Sequence, residues 1–193
     1  MMPKRSLIYG IGVNDLSIVN NKDHFYDTWF NVVKKCNNQS YKVKCQYFQD
    51  SFLSNDWVKF SSFKKWMLRQ EWSNRIINHR IIDPYNNEFS SDKCCFIPKE
   101  LTYLFRERHN PKPNGMPYGI FKTPENKFMI RFYYKGESLY LGIYESFIQA
   151  QILCKTFRIE EMKKTLPLFN EKRIKDGINY HIHLLDEEIK LLK

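Results

Sequence analysis

Apolar residues recur every three or four positions in several segments of the chain, which is the spacing of an amphipathic helix. In the first segment, Phe25, Trp29 and Val32 fall on one face, and Asp23 stands where a capping residue is expected. Later segments repeat the pattern up to the end of the chain. The predicted helices cover residues 23–36, 60–70, 146–165 and 171–192.

Between these helices, residues 127–134 alternate strictly, which is typical of a half-buried strand. One face would carry Phe128, Ile130 and Phe132, and the other would carry Met129, Arg131 and Tyr133. Shorter strands are predicted at 118–121 and 138–143, with Lys135-Gly136 as a turn. The pattern predicts a three-stranded antiparallel sheet with one face on helix 146–165 and the other exposed.

The middle of the chain predicts a strand, a loop, a second strand and a helix. Ile76, Ile77, Ile81 and Ile82 favour a strand around His79. Residues 83–87 are a turn signal, and residues 94–97 favour the second strand. Pro98 would open a helix at its first position, with Leu101, Leu104 and Phe105 on one face. The whole chain is therefore predicted to be α+β: an N-terminal helical segment with a ββα unit, then the sheet, its helix and a C-terminal helix.

The clearest linker signal is the Pro- and Asn-rich run of residues 110–115. It predicts an N-terminal domain over 1–109, a linker over 110–116 and a C-terminal domain over 117–193.

The charge of the chain indicates a polyanionic partner. With 193 residues, 42% of them hydrophobic, there is material for cores, and the net charge of +10 favours nucleic acid, with an anionic membrane surface as second choice. No apolar run is long enough for a membrane span or a secretory signal. Five cysteines without a C-x-x-C pair favour reduced thiols in a cytoplasm over disulfides or a zinc knuckle.

The exposed face of the predicted sheet holds residue types that suit duplex DNA. Arginine can grip guanine or phosphate, lysine meets phosphate, and tyrosine packs on sugar or a thymine methyl. A narrow sheet can enter the major groove. The predicted DNA-binding residues are Arg131, Tyr133, Lys135, Tyr140 and Lys127. Generic surface charge on a packing unit is the alternative.

Residues 118–157 resemble an AP2/ERF-type DNA-binding domain. The matching parts are Gly119-Ile120, the strand from Lys127 to Phe132, the turn from Leu141 to Tyr144, and the helix start from Ser146 to Ala150. The resemblance implies a sheet that contacts duplex DNA.

Residues 78–101 resemble the HNH unit of bacteriophage endonucleases that carry such a tail, and GIGVND, DTWFNVVKKC and NDWVKFSSFKKWM resemble their N-terminal frame. The resemblance implies that His79 is the general base and Asn78 a ligand of Mg²⁺ or another divalent cation. Lys93 and Thr102 depart from the pattern, and Glu100 or Asp83 would have to compensate. The alternative for His79 is an ordinary strand histidine.

The resemblance thus predicts a duplex DNA-binding protein of the phage HNH/AP2 type in the cytoplasm of a bacterial host, without membrane association. If the site is active, the protein is a metal-dependent DNA endonuclease. Otherwise it needs no cofactor and is a DNA-binding regulator or a phage inhibitor of a host defence factor. A third reading is a protein-interaction module whose aromatic surface binds another protein.

Overall fold

The protein is α+β and forms two compact units, Met1–Ile97 and Pro98–Lys193. The computed structural model describes residues 7–16, 23–105, 116–134 and 137–193, with only the backbone of Tyr134. Most of the predicted linker, and the predicted contact residue Lys135, lie outside this part. The sequence places the domain boundary at the linker, whereas the compact units divide after Ile97.

Three α-helices of the N-terminal unit are α1 (His24–Asn37), α2 (Gln39–Lys44) and α3 (Phe60–Met67). The predictions of α1 and α3 are confirmed. Helix α2 was not predicted, because its six residues are too few for a clear apolar period. Asn38 is extended and ends α1, but its Oδ1 atom accepts a 2.8 Å hydrogen bond from the Tyr41 amide and so caps α2.

The core of the N-terminal unit is aromatic. The Trp29 indole donates a 2.8 Å hydrogen bond to the Trp57 carbonyl, and its ring centroid lies 5.4 Å from that of Phe60. All three side chains are buried. This pairing of α1 with the segment before α3 satisfies the one polar atom of a large buried side chain.

The strands of the N-terminal unit are short. Strand β1 (Phe52–Leu53) pairs in parallel with β3 (Glu88–Phe89), and β2 (Arg75–Asn78) pairs with β4 (Cys95–Pro98). The second predicted strand is β4, but the first is confirmed only in its first half: β2 ends at Asn78, and His79, Ile81 and Ile82 lie in bends beyond it. Strands β1 and β3 were not predicted, since two residues are too few to establish an alternation. Short 3₁₀ turns lie at Gln46–Phe48 and Asn55–Trp57.

The prediction of a helix that starts at Pro98 is wrong for the described residues of this segment, which end at Phe105. Only a 3₁₀ turn forms at Lys99–Leu101, followed by turns to Phe105. The amide of Leu104 donates to the Leu101 carbonyl, three residues back instead of four. The Leu104 carbonyl accepts two hydrogen bonds from the Arg158 guanidinium, at 3.0 and 2.6 Å, which anchors this segment in the C-terminal unit.

The C-terminal unit contains the predicted three-stranded antiparallel sheet. Its strands are β5 (Ile120–Lys122), β6 (Phe128–Tyr134) and β7 (Glu137–Tyr144), with β6 in the centre. Helix α4 (Phe147–Thr165) covers one face, and a 3₁₀ turn at Leu166–Leu168 leads to α5 (Lys172–Leu192). The predictions of these elements are confirmed. No helix within the described residues is long and apolar enough to cross a membrane.

The sheet and α4 interlock through aromatic rings. Phe128 lies 5.1 Å from Phe147 between ring centroids, and Phe132 stacks on Phe157 at 5.2 Å. Ile130 is fully buried between them. The apolar face that the alternation predicted for β6 is therefore the face that packs on α4, and the Met129, Arg131 and Tyr133 face is the other one.

Removal of the Asp23 carboxylate should destabilise the N-terminal unit. Its Oδ1 atom accepts a 2.9 Å hydrogen bond from the Phe25 amide, and Oδ2 lies 3.0 Å from Lys64 Nζ in α3. Asp23→Ala should cost about 1 kcal/mol through the lost cap, and Asp23→Asn clearly less, because asparagine caps a helix equally well. Urea unfolding at pH 7, followed by tryptophan fluorescence, measures both. Equal losses would show that the charge pair, and not the cap, stabilises α1.

The same carboxylate should make stability depend on pH. Burial acts against ionisation, but hydrogen bonds from Lys64 and from the Phe25 amide outweigh it and lower the pKa of Asp23. A depressed folded-state pKa means that this stabilisation is present above the unfolded value near 4 and is lost as the pH falls through the folded-state pKa. Wild type should therefore lose more stability than Asp23→Asn between pH 5 and pH 3 in parallel urea titrations. Parallel curves would contradict the assignment.

Candidate nucleic-acid interface

The exposed face of the C-terminal sheet is organised as rows that run across the strands. In the first row, Phe121 of β5 faces Met129 of β6, which faces Ile143 of β7. In the second row, Arg131 faces Tyr140. Successive rows are about 7 Å apart, because residues on one face of a strand are two positions apart.

The third row holds Tyr133 opposite Ser138. Its tyrosine is the most exposed large hydrophobic side chain among the described residues of the sheet, with 69% of its surface accessible, and Tyr140 of the second row follows with 55%. Both tyrosine side chains are thus exposed on this face. Such a side chain combines large contact area with hydrogen bonding and little loss of conformational freedom on binding.

A β-bulge determines which residues of β7 reach this face. The register shifts between Ile130, which faces Gly142, and Arg131, which faces Tyr140. Leu141 is therefore the extra residue, and Gly142 has a φ of +118°, a conformation that side chains rarely adopt. Without the bulge, Tyr140 and Ile143 would point to opposite faces, since they are three positions apart. With it, both are exposed, with 55% and 48% of their surfaces accessible.

The Arg131 guanidinium lies over the aromatic ring of Phe121. Its carbon lies 5.0 Å from the centroid of Phe121, a cation–π distance. The Arg131 amide donates a 2.8 Å hydrogen bond to the carbonyl of Gly119, the residue that immediately precedes β5. Arg131 makes no salt bridge with any described residue. Its charge is thus oriented and available for a phosphate or a guanine edge.

Lys127 lies at one end of this face and is engaged in a surface ion pair. Its Nζ atom is 3.0 Å from Glu145 Oε1, and both side chains are well exposed. Exposed pairs of this kind are weak and exchange readily, so the lysine can leave the carboxylate for a phosphate. The structure thus brings Arg131, Tyr133, Tyr140 and Lys127 onto one surface, and Lys135 lies outside the described residues.

Positive charge is spread evenly over the chain. Residues 1–97 contain 14 Lys or Arg and 9 Asp or Glu, and residues 98–193 contain 17 and 12. Each unit therefore carries the same excess of five positive charges. Net charge therefore does not indicate which unit would contact a nucleic acid. Only the arrangement of the exposed side chains distinguishes the two units.

His79, the predicted general base, is enclosed by aromatic rings. Only 2% of its surface is accessible, its ring stacks on Phe89 with centroids 4.2 Å apart, and Tyr47 and Phe48 lie within 6 Å. Its carbonyl accepts a 2.6 Å hydrogen bond from Asn86. A general base must reach the attacking water, and this enclosure is instead typical of a packed strand-end histidine.

The other residues of the predicted nuclease site make local turn contacts. The Oδ1 atom of Asn78 accepts a 2.8 Å hydrogen bond from the Arg80 amide, and Asp83 accepts one of 3.0 Å from the Tyr85 amide. Thr102 donates to the Lys99 carbonyl at 2.8 Å. Glu100 is exposed and belongs to the C-terminal unit, whereas Asn78 and His79 belong to the N-terminal unit. Lys93 is half-buried.

No group of three His, Cys, Asp or Glu side chains in the described part of the chain is placed to hold a metal ion. All five cysteines are free thiols. Burial raises the pKa of Cys36 to about 12, and that of Cys94 well above its usual value. Both therefore remain protonated, which makes them poor nucleophiles and poor metal ligands at neutral pH.

Phe121 and Ile143 are members of the exposed face that the sequence did not identify, and Met129 was placed there without a role. The signal for Phe121 was its position next to Ile120 in a short strand, but three residues are too few to assign faces. No known protein family, curated protein or solved structure matches this chain. The likeness to HNH and AP2 units therefore stays a prediction.

Proposed function

We propose that this chain is a duplex DNA-binding protein that contacts DNA with the exposed face of its C-terminal sheet. The observation that carries the proposal is the row of Arg131 and Tyr140. A guanidinium with no salt bridge among the described residues lies over an aromatic ring, next to an exposed tyrosine. Strands can enter the grooves of DNA and contact base edges with such side chains.

The N-terminal unit, in this proposal, is a scaffold without nuclease activity. Enclosure of His79 by Phe89, Phe48 and Tyr47 supports this choice, as does the use of the Asn78 side chain in a turn. The function is then that of the predicted inactive descendant, a DNA-binding regulator. Inhibition of a host factor is a separate proposal that nothing in the geometry favours.

Incubation with supercoiled plasmid tests both parts of the proposal. We expect the wild-type protein to retard the plasmid on a gel in the presence or absence of Mg²⁺ or Mn²⁺, without nicking it. His79→Ala should behave in the same way, although it should lower thermal stability because it leaves a cavity between packed rings. Metal-dependent nicking by the wild type that disappears in His79→Ala would overturn the scaffold assignment.

Competition between nucleic acids separates duplex recognition from the other readings of the aromatic surface. A labelled duplex should be displaced by unlabelled duplex far more readily than by single strands of the same sequence. Preference for single strands would indicate that Tyr133 and Tyr140 stack on unpaired bases. Absence of binding to either nucleic acid would favour the protein-interaction reading.

A further inference from the structure

The first row of the exposed face is apolar: Phe121 and Met129 are half-buried, and Ile143 is exposed. Phe121, Met129 and Ile143 are neighbours across three strands, about 4.8 Å from strand to strand. The opposite face of the same strands already packs on α4, through Phe128, Ile130 and Phe132. Ile143 nevertheless keeps 48% of its surface accessible. An apolar row beside a guanidinium suits a partner that is itself apolar at one point and anionic around it.

Duplex DNA has such a point in its major groove. The C5-methyl group of thymine is the apolar group among the donors and acceptors of the base edges there, and phosphates flank it on both sides. The charge of the chain, +10 overall, is complementary to those phosphates. Among the described side chains of the three rows none is acidic, and Glu145 beyond them is paired with Lys127.

We propose that the apolar row of Phe121, Met129 and Ile143 selects a thymine by contact with its C5-methyl group, close to the base that Arg131 contacts. This inference rests on the duplex-binding function proposed above. Because the two rows are about 7 Å apart and stacked bases about 3.4 Å apart along a strand, the thymine lies within about two base steps of the Arg131 contact. Met129 and Ile143 are thereby specificity-determining residues.

Deoxyuridine provides the test, because it differs from thymidine only by the missing methyl group. A duplex is first enriched from a random library with the wild-type protein, and each thymine in it is then replaced by deoxyuridine in turn. One replacement should weaken wild-type binding about fourfold, the ratio that corresponds to about 0.8 kcal/mol for one buried methyl group. In Ile143→Ala the same replacement should change the dissociation constant by less than about 1.5-fold, because the contact is already lost.

Ile148→Ala is the matched control. Ile148 is as exposed as Ile143, with 51% of its surface accessible, but it lies on α4 on the far side of the sheet. This variant should retain the fourfold ratio of the wild type. Melting curves by circular dichroism verify that each variant folds, and Met129→Ala provides a second test of the same row if Ile143→Ala does not fold.

The outcomes separate this inference from the proposed function. Equal binding of thymine and deoxyuridine duplexes by the wild type, at every position, would overturn the thymine contact while leaving duplex binding intact. A wild-type ratio retained in both folded row variants would also overturn it, because another group would then make the contact. Failure to bind or enrich any duplex would overturn the proposed function and this inference together.

Discussion

Gly119→Ala should destabilise the C-terminal unit more than any other single-methyl change considered for this chain. Gly119 has a φ of +87°, which costs a residue with a side chain about 1–2 kcal/mol. An added Cβ would also lie 2.6 Å from Phe132 Cε1 and 3.3 Å from Cys154 Sγ. The Phe132 ring has little room to move away from the added methyl group, because it is buried and stacked on Phe157. Overpacking of this kind costs about 1–3 kcal/mol more.

The total expected loss is about 2–5 kcal/mol, measured by urea unfolding with far-ultraviolet circular dichroism. All four tryptophans lie in residues 1–97, so their fluorescence monitors the other unit in the same samples. Gly10→Ala is the control for backbone strain alone, because Gly10 also has a positive φ but nothing within 4 Å of an added Cβ. A loss no larger than that of Gly10→Ala would show that Phe132 accommodates the methyl group.

Arg131→Ala should weaken binding to the enriched duplex by about 1–3 kcal/mol, which is about 5- to 150-fold in the dissociation constant. The loss should be largest for the enriched sequence and smaller for unrelated duplexes, because a base-edge contact carries sequence information. The fold should not suffer, since the side chain is exposed and lies over Phe121 without contributing to the core. Fluorescence anisotropy at several salt concentrations measures the binding.

Two variants make the Arg131 result interpretable. Arg173→Ala removes the same charge from α5, where it is paired with Glu171, and should change affinity little. Lys135→Ala, a sequence-based choice at the predicted turn, should weaken all duplexes evenly and lower the salt slope by about one unit. If Arg131→Ala binds every duplex like the wild type, the exposed face of the sheet is not the contact surface. The basic helices of the N-terminal unit would then be the better candidates.

Local patterns were sufficient to predict the long elements. Helices α1, α3, α4 and α5 and strand β6 span enough residues for the sequence to predict them, and for α1 and β6 the predicted apolar face is the buried one. The shorter elements were missed or misjudged. Strands β1 and β3 have two residues each, and the segment after Pro98 forms i→i+3 turns although its apolar residues have helical spacing.

The predicted nuclease site shows why spacing does not establish a site. Asn78 and His79 have the order that the HNH resemblance requires, but accessibility depends on residues far away in the chain. Phe48 and Phe89 enclose the histidine because β1 and β3 pair beside it. A local pattern contains no information on that pairing, since non-local contacts are formed only in the folded chain.

For the exposed face of the sheet, the sequence by itself determined the side of β6 on which Arg131 lies, because alternation along one strand is a local property. The tertiary structure decided which residues accompany it. The bulge at Leu141 places Tyr140 opposite Arg131 and leaves Ile143 on the same face, although the two are an odd number of positions apart. Register across strands depends on backbone hydrogen bonds between segments, and one extra residue reverses every face beyond it.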